Sequence, residues 1–329
     1  MNGPLRFYPF LRPMVWGGRR LGDQLSKTLP SQDPYGESWE ISDHAQHHSI
    51  VASGPLAGQS LRQLMEQRGS ILLGKDQARY TVFPWLVKFL DARDWLSVQV
   101  HPDDVAVKRL WPGEGGKTEA WFVLDAESQG RIYAGLLPGV DERALRKALS
   151  DGTVAQCLHQ FKPSTGDCLF LPAGTVHAVG GGVLMAEVQQ TSDATFRLFD
   201  WNRRDVQGRS RTLHIEQALA CIDWQRGPVN PIKVSTLFSS NVQGGPYRRQ
   251  PLVQCPYFEL EHLQSEEPLP LGGCGRMQVV VVVNGKGSLE SSSGSEDLVA
   301  GQTLLLPAEM PAVWCKPNPS LALLQSSLP

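Results

Sequence analysis

Paired cysteines, long apolar runs, an excess of one charge and helical periodicity are all scarce in this 329-residue chain. The six cysteines (Cys157, Cys168, Cys221, Cys255, Cys274 and Cys315) are scattered without a C-x-x-C pair. That spacing excludes a zinc ribbon or a dense disulfide framework and favours reduced thiols in a cytoplasmic protein. The N-terminal stretch is interrupted by Arg6, Pro9, Arg12 and Pro13, so no signal peptide is expected. The longest apolar run, 277–283, contains Gln278 and falls far below the roughly 20 residues that span a bilayer. Lys plus Arg is 31 and Asp plus Glu 33, a net charge of −2, which gives no electrostatic reason to expect nucleic acid or a membrane as partner. No protein partner is implied. A G-x-x-x-x-G-K-[ST] loop is missing, so any bound phosphate has to be held by side chains or ordinary backbone N–H groups.

What the chain does contain is Gly (32) and Pro (24) between short apolar runs such as TVFPWLVKFL, WLSVQVHP, AWFVLDA, CLFLPAG and GVLMAEVQQ. Short strands with turn punctuation predict a mainly β protein with a few helical insertions. Helical spacing is confined to Leu61, Leu64 and Met65, to Leu145, Leu149 and Val154, and to 216–221. The pattern G-x-x-L-x-L-P-A occurs at 166–173 and again at 301–308. Each copy follows a β-rich stretch, which predicts two related β-barrels. The boundary is placed near residue 235, giving units 1–235 and 236–329, and the Ser-rich 290–297 is read as a loop marking a strand connection.

In WLSVQVHPDD, strand alternation puts Leu96, Val98 and Val100 on one face and Ser97, Gln99 and His101 on the other. Polar groups aligned within an apolar strand are costly to bury unless something binds them, and a metal ion would do so. In KTEAWFVL, Lys117 and Glu119 share a face by the same spacing. A third contribution comes from Gly166-x5-Pro172-x-Gly174-x2-His177. The plain alternative is that both histidines are ordinary hydrogen-bonded core residues.

The G-x5-P-x-G-x2-H pattern resembles the second cupin motif, whose His is a metal ligand inside the barrel. The first motif departs from the usual H-x-H, with Gln99-x-His101 in its place, and the Asn that often closes motif two is missing. Those departures, with GESWEIS (36–42), FPWLVKFLDA (83–92), LSVQVHPDD (96–104), GKTEAWF (116–122) and the stretch 172–201, resemble the class I mannose-6-phosphate isomerases along most of the chain. The resemblance implies two cupin-type jelly-roll barrels. It also implies one divalent metal ion held by Gln99, His101, Glu119 and His177. Two imidazoles, a carboxylate and an amide oxygen suit Zn2+, though other divalent ions fit such a set. In the second barrel the positions matching Gly174 and His177 are Glu309 and Ala312, so no metal is expected there.

The implied reaction interconverts mannose-6-phosphate and fructose-6-phosphate by proton transfer through an enediol, and its small-molecule partner is a sugar phosphate. It requires an acid–base group beside C1 and C2 and cations for the phosphate. Lys88, Lys117 and Arg197 interrupt apolar strands, and by resemblance they line the pocket with Ser97 and Glu187. Lys117 is expected to transfer the proton, its pKa lowered by the metal and an arginine; Arg197 is the other catalytic candidate. Lys88, Ser97 and Glu187 are expected to bind substrate. For Lys88 the rival is a snorkelling edge-strand lysine, and for Arg197 a salt bridge to Asp193 or Asp200. His44, His47 and His48, despite their i, i+3, i+4 spacing, are read as a solvated loop rather than a second metal site, and Asp103 and Asp104 as turn residues or the cap of a short helix leading to Trp111. Other readings of the site are an isomerase of another sugar phosphate, a metal-dependent cupin oxygenase, or a sugar-binding regulator without turnover.

Overall fold

Strands that alternate between two different apolar environments build most of this molecule. The computed structural model of the chain describes residues 3–204, 207–234, 247–291 and 294–329. One sheet runs in the order Phe10–Gly18, Tyr35–Ile41, Trp85–Ala92, Val183–Gln190, Glu119–Ala126, Asp167–Leu171 and Ile232–Lys233. A second runs Phe196–Phe199, Val98–Val100, His177–Val179, Ile132–Leu136 and Leu158–Phe161. Each strand pair that faces the site is antiparallel.

The central strands of the first sheet are buried on both faces, and the two-residue period decides what each face meets. Val87 and Phe89, Leu184, Ala186 and Val188, and Ala120 and Phe122 pack with Leu252, Leu260, Val279 and Val281 of the C-terminal unit. The alternate residues Leu90, Ala92, Val183, Met185, Trp121 and Val123 meet Ile132, Ala134 and Val179 of the second sheet and Leu96, which precedes it. Lys88, Glu187 and Glu119 belong to this inner face by the same alternation. The outer face of the second sheet (Val98, Val100, Tyr133, Ala178) is covered by Leu145 and Ala148 of the helix Glu142–Asp151 and by Ala218 and Leu219 of Ile215–Leu219. The metal-site face is therefore enclosed between two sheets.

The C-terminal unit is a third sheet ordered Tyr247–Gln254, Glu259–Ser265, Val313–Ser327, Gln278–Ser291 and Gly294–Val299. Leu269–Leu271 adds to Val313–Ser327, and Thr303–Leu306 to Gln278–Ser291. It encloses its own core, with Leu263, Val280, Val282, Leu298 and Leu323 inside. Both copies of the repeat begin at a glycine with positive φ (Gly166 at 87°, Gly301 at 90°) and continue into a strand of the same length class, Asp167–Leu171 and Thr303–Leu306. The N-terminus is tied to the C-terminal unit by a bridge between Leu5 and Leu305.

A helix occurs in each of the three expected regions, Leu61–Leu73, Glu142–Asp151 and Ile215–Leu219, but Gly152 ends the second before Val154, which opens a separate 3-10 turn, and the third stops at Leu219. Ser60 and Gln63 form a capping box at the start of the first, which continues past its expected residues, across a kink at Arg68, to the buried Leu72 and Leu73. Asp103 Oδ1 accepts from the N–H groups of Val105 and Ala106 and leads into Ala106–Leu110, as expected of a cap. The Ser-rich 290–297 does connect two strands, Gln278–Ser291 and Gly294–Val299, which pair as a hairpin, but most of it lies within those strands; the tip lies outside the described residues. The expected boundary near 235 also lies outside them. No helix among the described residues is long and apolar enough to cross a membrane.

Candidate metal centre and substrate cavity

Cross-strand register assembles the site. His177 is the partner of Gln99, and Gln99 is the partner of Arg197, so these three side chains form a row across the second sheet. Opposite them, Trp39, Lys88, Glu187 and Trp121 form a row across the first sheet. Alternation holds for 97–101, with Val98 and Val100 turned outward. Leu96 departs from it: it precedes the strand Val98–Val100 and packs inside, beside the cavity.

His101, Glu119 and His177 are almost wholly buried, and their ligand atoms all lie within 4.8 Å of one another. Glu119 reaches His101 Nε2 at 3.5 Å through one oxygen and His177 Nε2 at 3.4 Å through the other. Ligand atoms about 2.1 Å from a tetrahedral ion are separated by roughly 3.4 Å, the spacing at which each Glu119 oxygen stands from one of the two imidazoles. His101 Nδ1 donates to Ala194 O (2.8 Å) and His177 Nδ1 to Thr175 O (2.9 Å), which turns both Nε2 lone pairs toward Glu119. Burial holds the His101 imidazole well below its usual pKa, assisted by Lys117, and brings that of His177 down to about 4. Both rings are thus neutral, the form that binds a cation. Glu119 Oε1 is buried without a hydrogen-bond partner. A divalent cation fits this donor set. Gln99 presents its amide nitrogen to His177 Nε2 at 3.2 Å, so it would ligate a metal only after turning its amide over.

Lys117 touches this cluster directly, 3.0 Å from His101 Nε2 and 2.6 Å from Glu119 Oε2. Burial pushes the ammonium pKa down, but Glu119 and Glu187 outweigh burial and raise it to about 12. The protein's own carboxylates thus act against the lowering expected from a metal and an arginine. Lys88 is buried in a central strand, which disposes of the snorkelling alternative. It lies 3.6 Å from Glu187 and 5.0 Å above the Trp39 ring, with Glu37 at 3.8 Å. Trp121 Nε1 donates to Glu187 Oε1 at 2.9 Å, and burial raises the Glu187 pKa.

Above the buried cluster opens a cavity of about 240 Å³, lined by Lys88, Ser97, Gln99, Lys117, Glu187 and Arg197 together with Trp16, Trp111 and Trp121. All the expected substrate-side residues thus meet in one space, and Gln99 and Lys117 connect it to the cluster. Arg197 forms no ion pair among the described residues. Asp200 is taken by both forks of Arg211, and Asp193 lies 3.6 Å from Arg12.

Several lining residues escaped the sequence reading: Arg12, Glu37, Arg211 and His214. The last two come from an aperiodic polar stretch that carries no signal. The solvated-loop reading of 44–48 is also corrected. Asp43–His44 and His47–His48 pair as a short hairpin, and His44 is buried against Glu114, with Nε2 3.1 and 3.2 Å from its two oxygens. Glu114 in turn accepts from the Asp193 N–H at 3.2 Å. Burial opposes its ionisation, but these hydrogen bonds outweigh burial and hold its carboxyl below the usual range.

Two β units, one enclosing a buried His–Glu–His cluster beneath a charged cavity, define a cupin-fold protein with a candidate metal centre. A family model described as phosphomannose isomerase type I, catalytic domain, matches residues 5–118. A mannose-6-phosphate isomerase of Streptococcus mutans is 34% identical over 307 residues, covering 93% of each chain. The crystal structure of a mannose 6-phosphate isomerase from Bacillus subtilis superposes with a TM-score of 0.87 at 29% identity, covering 99% of both chains. The fold is shared further with a mannose 6-phosphate isomerase bound with zinc and yttrium, at a TM-score of 0.72, 17% identity and 98% of both chains. This chain belongs to the type I phosphomannose isomerase family.

Proposed function

We propose that the chain interconverts mannose-6-phosphate and fructose-6-phosphate, moving a proton between C2 and C1 through an enediol, with one Zn2+ per chain. The observation that carries this reading is the contact between Lys117 and the His101–Glu119 pair at the floor of a cavity that also holds Lys88, Glu187 and Arg197. His101, Glu119, His177 and a turned Gln99 would hold the metal, which supplies Lewis-acid charge stabilisation when bound. Lys117 is the group placed to carry the proton. It has to release one that Glu119 and Glu187 hold tightly, so its role depends on Glu119 being committed elsewhere. Lys88 and Glu187 form a buried charge pair that fixes the sugar's position, and the Ser97 hydroxyl, 3.2 Å from Gln99 Oε1, offers a further hydrogen bond. Arg197 adds positive charge to the same space.

The C-terminal unit from about residue 236 serves as a structural support, packed against the outer face of the catalytic sheet. Six free cysteines accord with a cytoplasmic location.

A coupled assay of mannose-6-phosphate conversion tests the reading on purified, chelator-stripped and zinc-restored protein. Activity should disappear on stripping and return with zinc. Folded, zinc-loaded protein that leaves mannose-6-phosphate unconverted refutes it.

A further inference from the structure

Two of the segments that supply the metal cluster meet at one carboxylate outside it. Asp104 lies three residues beyond His101. Its Oδ1 accepts the backbone N–H of Gly116 at 3.0 Å and the Nε2 of Gln190 at 3.2 Å. Gln190 in turn accepts the Thr118 N–H through its own amide oxygen at 2.9 Å. The N–H groups on either side of Lys117, the second of them next to Glu119, therefore both lead back to Asp104. The approach is close: a Cβ on Gly116 would stand 2.6 Å from both the N and the Oδ1 of Asp104. The Lys117 N–H donates to Pro102 O at 2.9 Å, and the Gly174 N–H donates to His101 O at 2.9 Å, which ties the turn before His177 to the same junction.

The other oxygen of this carboxylate is engaged by the C-terminal unit. Tyr257 donates its hydroxyl to Asp104 Oδ2 at 2.8 Å, from 153 residues further along the chain. Tyr257 is itself anchored through its main chain. Its carbonyl accepts Trp85 Nε1 at 3.0 Å, and Trp85 is fully buried and pairs with Gln190 in the first sheet. The turn that carries it is closed by the Cys255 N–H, which donates to Phe258 O at 3.1 Å, and Phe258 is buried in the core shared by the two units. Burial, and then the Asp104 carboxylate, push the Tyr257 phenol up to about 12, so its hydroxyl remains a donor at neutral pH.

We propose that Tyr257 is a positioning residue of the metal centre: through Asp104 the C-terminal unit fixes the segments that carry His101 and Glu119, and thereby sets the affinity of the site for a divalent cation. The proposal rests on the metal-site reading. Its physical basis is a rearrangement that binding demands. Lys117 Nζ contacts His101 Nε2 and Glu119 Oε2, two atoms that a cation would take. The lysine has to give up both, and its ammonium then stands beside a second positive charge in a buried space. The push falls on the main chain at 116–118, where Asp104 and Gln190 hold the N–H groups and Tyr257 holds Asp104. A tie that matters more with the cation bound than without it stabilises the bound state relative to the metal-free one. A residue of the second β unit can change metal affinity by that route without touching a ligand.

Tyr257→Phe keeps the ring and withdraws the hydroxyl. Competition with a chromophoric chelator should show its zinc dissociation constant raised about tenfold, the lower end of the effect of groups hydrogen-bonded behind metal ligands. The melting temperature of the metal-free protein should stay close to wild type. Asp104→Ala should raise the constant at least as far, and adding Tyr257→Phe to it should change nothing further, because the hydroxyl then has no carboxylate to hold. An unchanged zinc dissociation constant in Tyr257→Phe, with or without a lower melting temperature, marks a merely structural tie and overturns the proposal. So does full additivity of the two substitutions, which would mean that Tyr257 acts by another route. Should Asp104→Ala fail to fold, the constant of Tyr257→Phe decides alone. Failure of the metal-site reading is distinct: wild-type protein would bind zinc no better than His177→Ala, and the proposal would fall with it.

Discussion

His262 lies at the seam between the two β units, on the strand Glu259–Ser265, with its ring stacked 5.6 Å from Phe122 of the catalytic sheet. Burial lowers its pKa from 6.5 to about 4. As pH falls, the unfolded chain takes up a proton near pH 6.5, whereas the folded chain resists protonation until about pH 4. The unfolded state therefore binds more protons throughout that window, and stability falls as pH drops through it. At 1.36 kcal/mol per pKa unit the full effect is about 3 kcal/mol, and at pH 5 the linkage relation gives about 2 kcal/mol relative to pH 7.5.

His262→Phe keeps the stacked ring and removes the proton. Urea denaturation of wild type and variant, each at pH 7.5 and pH 5 and followed by tryptophan fluorescence, isolates the histidine as a difference of differences. Acid-labile groups elsewhere, the metal ligands included, are common to both proteins and cancel. The variant should lose about 2 kcal/mol less than wild type between the two pH values. Any constant offset from the larger ring appears equally at both. Identical pH dependence in the two proteins would falsify the assignment of acid lability to this seam.

Glu114→Gln should weaken metal binding up to about tenfold by loosening the chain at 192–194, whose Ala194 carbonyl orients His101; competition with a chromophoric chelator measures it, and an unchanged dissociation constant removes Glu114 from the support of the site. Gly301→Ala should cost more than Gly166→Ala, because a Cβ at Gly301 meets Leu25 O at 2.4 Å whereas one at Gly166 finds only Val234 Cβ at 3.7 Å. Backbone conformation alone costs each about 1–2 kcal/mol, so equal denaturation midpoints would show that the Leu25 contact relaxes freely.

Legibility of the site in the sequence divides along the line between strand and loop. Gln99 and His101, Lys117 and Glu119, Lys88 and Glu187 sit within apolar stretches where a two-residue period assigns a face, and each reaches the cavity or the cluster beneath it. The pairing of strands from distant parts of the chain was accessible only through resemblance, because register depends on partners that local pattern does not name. The same holds for the Lys117 pKa. Against burial, Glu119 and then Glu187, the latter 3.9 Å away but 70 residues further along the chain, raise it, and strand pairing alone brings the second of these close.

His44, Glu114, Arg211 and His214 were missed for a different physical reason. Each is a polar residue in a polar stretch, where solvent and a buried partner are equally consistent with the local composition. His44 is buried and the other three half-buried by contacts between segments distant in the chain, so only tertiary structure reveals them. The consequence is a division of labour: residues in or directly beside the strands supply the metal cluster and the cavity groups Lys88, Lys117 and Glu187, while Glu114 and the segment 192–194 support His101 from outside the sheets. Substitutions at Lys117 or Glu119 should accordingly remove kcat, whereas substitutions in 192–194 should act through metal affinity.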